Sequence, residues 1–137
     1  MTNSESVIEQ IAKDFNLNVI YLDRIEHKFE NVVENCYIAG NEIFIGIYKD
    51  EEKKLISFFH ELGHKEISWA FKKAFKLNTL LIEIECWRCG IELARSYGIF
   101  FSDNAIKFGY EKALTYTGHD ERERSSFNAD YLWINQI

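Results

Sequence analysis

The run from Asp50 to Phe71 constrains this chain more than any other stretch. It holds no proline and a single glycine, Gly63, and its apolar residues Leu55, Ile56, Phe59, Leu62, Ile67 and Ala70 recur at helical spacing. Asp50-Glu51-Glu52 puts negative charge where the positive end of a helix dipole favours it. The run therefore predicts one amphipathic helix over 50–71. Near its middle stand His60 and His64, four residues apart and so on one face, where both rings can reach a shared point. Gly63 costs about 1 kcal/mol relative to alanine inside a helix. Its presence predicts that another backbone or a bound peptide comes close there.

His60-Glu61-Leu62-Gly63-His64 has the His-Glu-x-x-His pattern of zinc-dependent hydrolases. Two such imidazoles bind zinc at about 2.0 to 2.1 Å. Glu61 beside them is the expected general base, taking a proton from water that the ion acidifies to a pKa of about 7 and passing it to a leaving amine. The competing reading is a plain core helix without a metal. Catalytic zinc usually takes three protein ligands, so a further one is expected downstream.

A second helix is predicted over Leu80 to Tyr97, stopped by Gly98. Its apolar arc runs through Leu80, Ile84, Trp87, Ile91 and Ala94, and Glu83 falls inside it. A carboxylate on a buried face is costly unless paired or bound to metal. Glu83 is therefore the expected third ligand. Glu85, which sits with Glu92, Arg88 and Arg95 on the opposite side, is the reserve, and an ion pair of Glu83 with a lysine or arginine is the alternative. Cys86 and Cys89 have CxxC spacing, but no second pair exists and they read as core residues.

Elsewhere, Ser6 to Phe15 predicts a first helix with Ser4 or Ser6 as cap, and Asn18 to Leu22 a short strand followed by a polar loop over 23–31 that carries His27. Cys36 to Ala39 and Glu42 to Ile47, joined by Gly40-Asn41, read as a hairpin directly before the histidine helix. Such a hairpin either offers an edge to an extended substrate or merely covers the core. Ser102 to Tyr116 predicts a last helix. His119 and Tyr116 are candidate donors to an oxyanion, with an ordinary surface role as the alternative. Tyr131-Leu132-Trp133-Ile134 in the tail is expected to pack back on the body.

With 137 residues and no linker, repeat or low-complexity tract, residues 1–137 are expected to form a single domain. A net charge of −6 argues against a nucleic-acid surface. The tight basic pairs Lys53-Lys54 and Lys72-Lys73 read as solvated helix faces. No stretch approaches the roughly 18 apolar residues of a membrane span. The polar start and an odd number of cysteines, Cys36, Cys86 and Cys89, point to the cytoplasm. The pattern as a whole predicts an α+β domain with helices packed on a short antiparallel sheet or hairpin.

The hairpin, the helix-borne His60, Glu61 and His64, and Glu83-x-x-Cys86 on a following helix together resemble the ImmA/IrrE family of zinc metallopeptidases, over roughly Tyr37 to Tyr97. Trp87-Arg88, Gly98-Ile99 and Leu114-Thr115-Tyr116 resemble its short phage and prophage members. Where the family often ends its second helix in Leu-Leu-Met-Pro, this chain has Tyr97-Gly98-Ile99-Phe100. The resemblance implies a small zincin-like domain of gluzincin type, a Zn2+ cofactor held by His60, His64 and Glu83, and cleavage of a protein partner such as a helix-turn-helix repressor. A second class stays open: a zinc-bearing module that sequesters a phage or host regulator without cutting it. Glu61 separates the two, because a pure binder has no need of it.

Overall fold

The computed structural model describes residues 3–24, 34–67 and 79–115. Among them are four helices, α1 (Asn3–Asp14), α2 (Glu51–Glu66), α3 (Thr79–Ser96) and α4 (Asp103–Leu114), and three strands, β1 (Asn18–Tyr21), β2 (Cys36–Ala39) and β3 (Glu42–Ile45). The class is α+β. No described helix is long and apolar enough to cross a membrane.

Each helix end has a local cause. Asp50 caps α2, its Oδ1 accepting from the backbone of Glu52 at 2.9 Å and Lys53 at 3.2 Å, and the Ser102 hydroxyl does the same for Ala105 in α4. Gly98 adopts φ +78° after α3, with Gly98 N–H donating to Arg95 and Ile99 N–H to Ala94, the pairing of a Schellman stop. Asn16, at φ 55°, closes α1 in the same way. Ser4 and Ser6, the expected caps of α1, instead lie within it.

The expected helix over 50–71 is shorter. It ends at Glu66, and Ile67 is extended at ψ 129° while its N–H still closes on Gly63. No glycine or proline marks that stop, so nothing local in the sequence foretold it. Residues 68–71 lie outside the described residues, as do His27, Lys72-Lys73, Tyr116, His119 and the tail from 117.

The sheet is mixed rather than antiparallel. Its order is β1-β3-β2, with β3 antiparallel to β2 and parallel to β1 in the register Asn18↔Glu42 to Tyr21↔Ile45. The reason is directional: β2 runs opposite to β1, and the hairpin turn at Gly40, φ +62°, sends β3 back along β1. β1 thereby gains a ladder that a lone strand would lack. Pairing at the open end of the hairpin continues through Glu34 N–H to Ile47 C=O, beyond the regular strands.

Alternation decides the faces. Ile43 and Ile45 are fully buried and Cys36 nearly so, while Tyr37 and Phe44 stack across the outer face at 4.7 Å. The inner face meets a core of Ile8, Ala12, Ile56, Phe58, Phe59 and Leu62, with α2 packed against α1, α3, α4 and β2. One expected solvated residue is inside: Lys54 is 6 % exposed, its ammonium 3.7 Å from Glu5 and 3.5 Å from Glu51. Its fellow Lys53 lies over the Phe108 ring. The long lysine stem suits a crowded face when a buried carboxylate waits at its end.

Candidate metal centre

The site forms where α2 and α3 cross. A Cβ added at Gly63 would sit 2.1 Å from the Cys86 carbonyl, and one at Gly90 would sit 2.4 Å from that of Phe59. Only glycine at both positions lets the two backbones touch. The close approach expected at Gly63 is thus made by a neighbouring backbone. It brings Glu83, one turn above the crossing, over the histidine face of α2.

Glu83 is 5 % exposed and His60 8 %. The carboxylate is shared: Oε2 lies 2.8 Å from His60 Nε2 and Oε1 lies 3.0 Å from His64 Nε2. The three side chains each offer a ligand atom, and these atoms lie within 4.8 Å of one another. The group can therefore hold a metal ion. Each imidazole also has its Nδ1 engaged, that of His60 by Glu61 Oε1 at 3.4 Å and that of His64 by the Cys86 thiol at 3.1 Å. Contacts of this kind fix which nitrogen faces the centre.

The electrostatics are cooperative. Burial by itself would raise the Glu83 pKa, but hydrogen bonds from His60 and His64, reinforced by their charge, hold it at about 2. For His60 burial acts downward, and the hydrogen bonds and negative charge of Glu61 and Glu83 outweigh it and raise the pKa. A buried carboxylate thus faces two nitrogens that carry either protons or a cation.

Of the residues singled out from sequence, His60, His64, Glu83 and Glu61 come together. Glu85 does not: it is bound by Arg88, with Nη2 to Oε2 at 2.5 Å, and Arg88 also reaches Glu92 at 2.6 Å on the outward face of α3. Cys86 and Cys89 are in no disulfide among the described residues, and Cys86 is fully buried. Two neighbours join the site in a role not expected from the sequence. Trp87 stacks flat on His60, with centroids 3.9 Å apart and planes 6° from parallel, and Cys86 meets His64. The signal for Trp87 was its position one turn after Glu83; nothing in the sequence set Cys86 toward the histidine rather than the core.

Two hollows adjoin the centre. A cleft of about 570 Å³ runs between it and β2, lined by Asn35, Tyr37, Ile38, Glu61, His64 and Glu83 among others. A smaller one of about 220 Å³ lies beside His60, Glu61 and Trp87 and reaches Glu34 and Lys112. Glu61, with 15 % of its side chain exposed, lines both. No family model matches the chain, and no curated protein and no solved structure matches it either.

Proposed function

We propose that this protein is a zinc-dependent metallo-endopeptidase with a zincin-like domain of gluzincin type, related to the ImmA/IrrE peptidases and acting on a protein partner in the cytoplasm. One observation carries the reading: a buried glutamate on a different helix from the histidines divides its two oxygens between their Nε2 atoms. Structural ion pairs seldom need two titratable imidazoles around one carboxylate, whereas a His2Glu donor set suits a borderline ion such as zinc. Zinc bound there would supply Lewis acidity, both toward a peptide carbonyl and toward water.

The chain's own residues would do the rest. Glu61 takes a proton from the attacking water as its oxygen bonds to the scissile carbonyl carbon. When the C–N bond breaks, that proton goes to the departing amine. Trp87 and Cys86 keep the two rings in place. β2 pairs only with β3 among the described residues, so its outer edge can take an extended peptide by main-chain hydrogen bonds in the larger cleft. Residues from both sides of that cleft, Tyr37 and Ile38 on one and Glu61 and His64 on the other, bracket such a segment. The family resemblance suggests a helix-turn-helix repressor of a mobile element as the protein cut.

Glu61→Gln tests the reading. The variant should keep zinc, while new protein N-termini that the zinc-loaded wild type generates in a host lysate should fall by roughly 10²- to 10⁴-fold. Unaltered biological activity in that variant would favour a zinc-bearing module that only sequesters its partner.

A further inference from the structure

Among the described residues Phe100 is the most exposed large apolar side chain, at 72 %. It stands in the link between α3 and α4 and lines, with Val7, Leu55, Ile99 and Phe101, a mostly apolar hollow of about 290 Å³. Those four pack against the core and are still only partly buried. A cavity of about 150 Å³ is enough for a benzene ring, so the hollow has room for one phenyl group from outside.

Two charges on this face lack an opposite. Arg95 holds its guanidinium 5.8 Å from the centre of the Phe100 ring and forms no ion pair among the described residues. Glu52 lines the hollow and accepts from the Ser102 backbone N–H at 2.9 Å and from the Ser102 hydroxyl, both neutral donors. It too forms no ion pair among the described residues.

Such a face selects its partner. A neutral apolar segment would cover the ring and leave both charges unanswered, whereas a basic segment would meet Glu52 and repel Arg95, and an acidic one the reverse. The same face turned by a two-fold axis supplies all three needs. In a two-fold interface each contact is returned, so an Arg95 that meets the other copy's Glu52 is matched by a Glu52 that meets the other copy's Arg95. Phe100 is both the projecting ring and part of the hollow that would receive one.

We propose that the face formed by Phe100, its hollow, Arg95 and Glu52 is a self-complementary docking surface for a second copy of this chain, with each Phe100 entering the other copy's hollow. The pairing depends neither on a metal nor on the peptidase reading. Its small apolar area places it among weak, concentration-dependent dimers rather than permanent ones.

Sedimentation equilibrium of the full chain from roughly 10 µM to 1 mM should show monomer and dimer in exchange. Phe100→Ser should weaken the dimer at least about tenfold, as loss of a central aromatic anchor does. Arg95→Glu sets carboxylates opposite each other and Glu52→Arg sets guanidiniums opposite each other, so each should weaken pairing by about fivefold or more. An equimolar mixture of those two variants should dimerise again, because each copy then carries the charge that the other lacks. Phe100→Ser changes a solvent-exposed side chain and leaves the Ser102 bonds of Glu52 in place, so it stays informative even where Glu52→Arg disturbs the fold.

A chain that remains monomeric over that range would overturn the proposal. So would a dimer that Phe100→Ser leaves intact, or a mixture of the two folded charge variants that pairs no better than either one by itself.

Discussion

Two carboxylates are equally hidden in this small domain, and they are answered differently. Glu5 on α1, 4 % exposed, meets the guanidinium of Arg24 at 2.7 Å and the ammonium of Lys54 at 3.7 Å. Glu83 on α3, 5 % exposed, meets two imidazoles. Arginine and lysine are cations throughout the neutral range, so the first cluster is neutralised without an ion and ties α1 to α2. Imidazoles change charge near neutrality and present a lone pair when they lose the proton. Equal burial thus gives a fixed strut in one place and an exchangeable site in the other. What marks a carboxylate as a candidate ligand is the chemistry of its partners rather than its depth.

The contrast should be sharpest in metal binding. Glu83→Ala or His60→Ala should lower zinc affinity by more than the roughly 10- to 100-fold that loss of an orienting neighbour costs, leaving the dialysed protein without zinc by elemental analysis. Glu85→Ala and Glu5→Ala should leave the zinc content unchanged. Zinc loss on Glu85→Ala would reassign the third ligand.

Stability should show the reverse ranking. Glu5→Ala removes the buried partner of a buried lysine and should cost about 3 kcal/mol in chemical denaturation, near the low end for broken buried pairs because Glu51 remains near Lys54 and Arg24 is half exposed. Gly63→Ala forces α2 from α3 and should cost about 1–3 kcal/mol, while also loosening zinc, since the crossing sets Glu83 over the histidines. A Gly63→Ala protein of normal stability and zinc affinity would mean that the crossing does not position the site.

The smallest effect is in pH. Without metal, the raised pKa of His60 gives a contribution that is full below its ordinary 6.5 and is lost as pH rises through the higher folded value. Glu83, lowered to about 2, contributes above its ordinary 4.5 and loses that as pH falls toward 2. The cluster therefore favours the metal-free fold most between 4.5 and 6.5. From pH 6 to 8 the metal-free protein should lose a few degrees of thermal midpoint. The zinc-loaded protein should gain, because zinc competes with protons for the imidazoles. Parallel profiles for the two forms would show that zinc does not bind at these rings.

Much of the site was legible because helical periodicity carries it. His60 and His64 four apart, Glu83 within an apolar arc, and Glu85 beside Arg88 each follow from 3.6 residues per turn. The acidic start at Asp50, the helix start at Ser102 and the stop at Gly98 were legible too, since they depend on local backbone chemistry. The end of α2 at Glu66, the burial of Lys54 and the parallel seat of β1 were not. Each depends on what another segment places opposite, and periodicity does not record that.

The sequence alone determined which helix faces carry imidazole, carboxylate and glycine, because a helix converts spacing along the chain into direction in space. Only the tertiary structure decided that those faces meet. Gly63 and Gly90 allow the crossing, but the depth of contact, the division of one carboxylate between two rings and the stack of Trp87 on His60 arise from how separate segments pack.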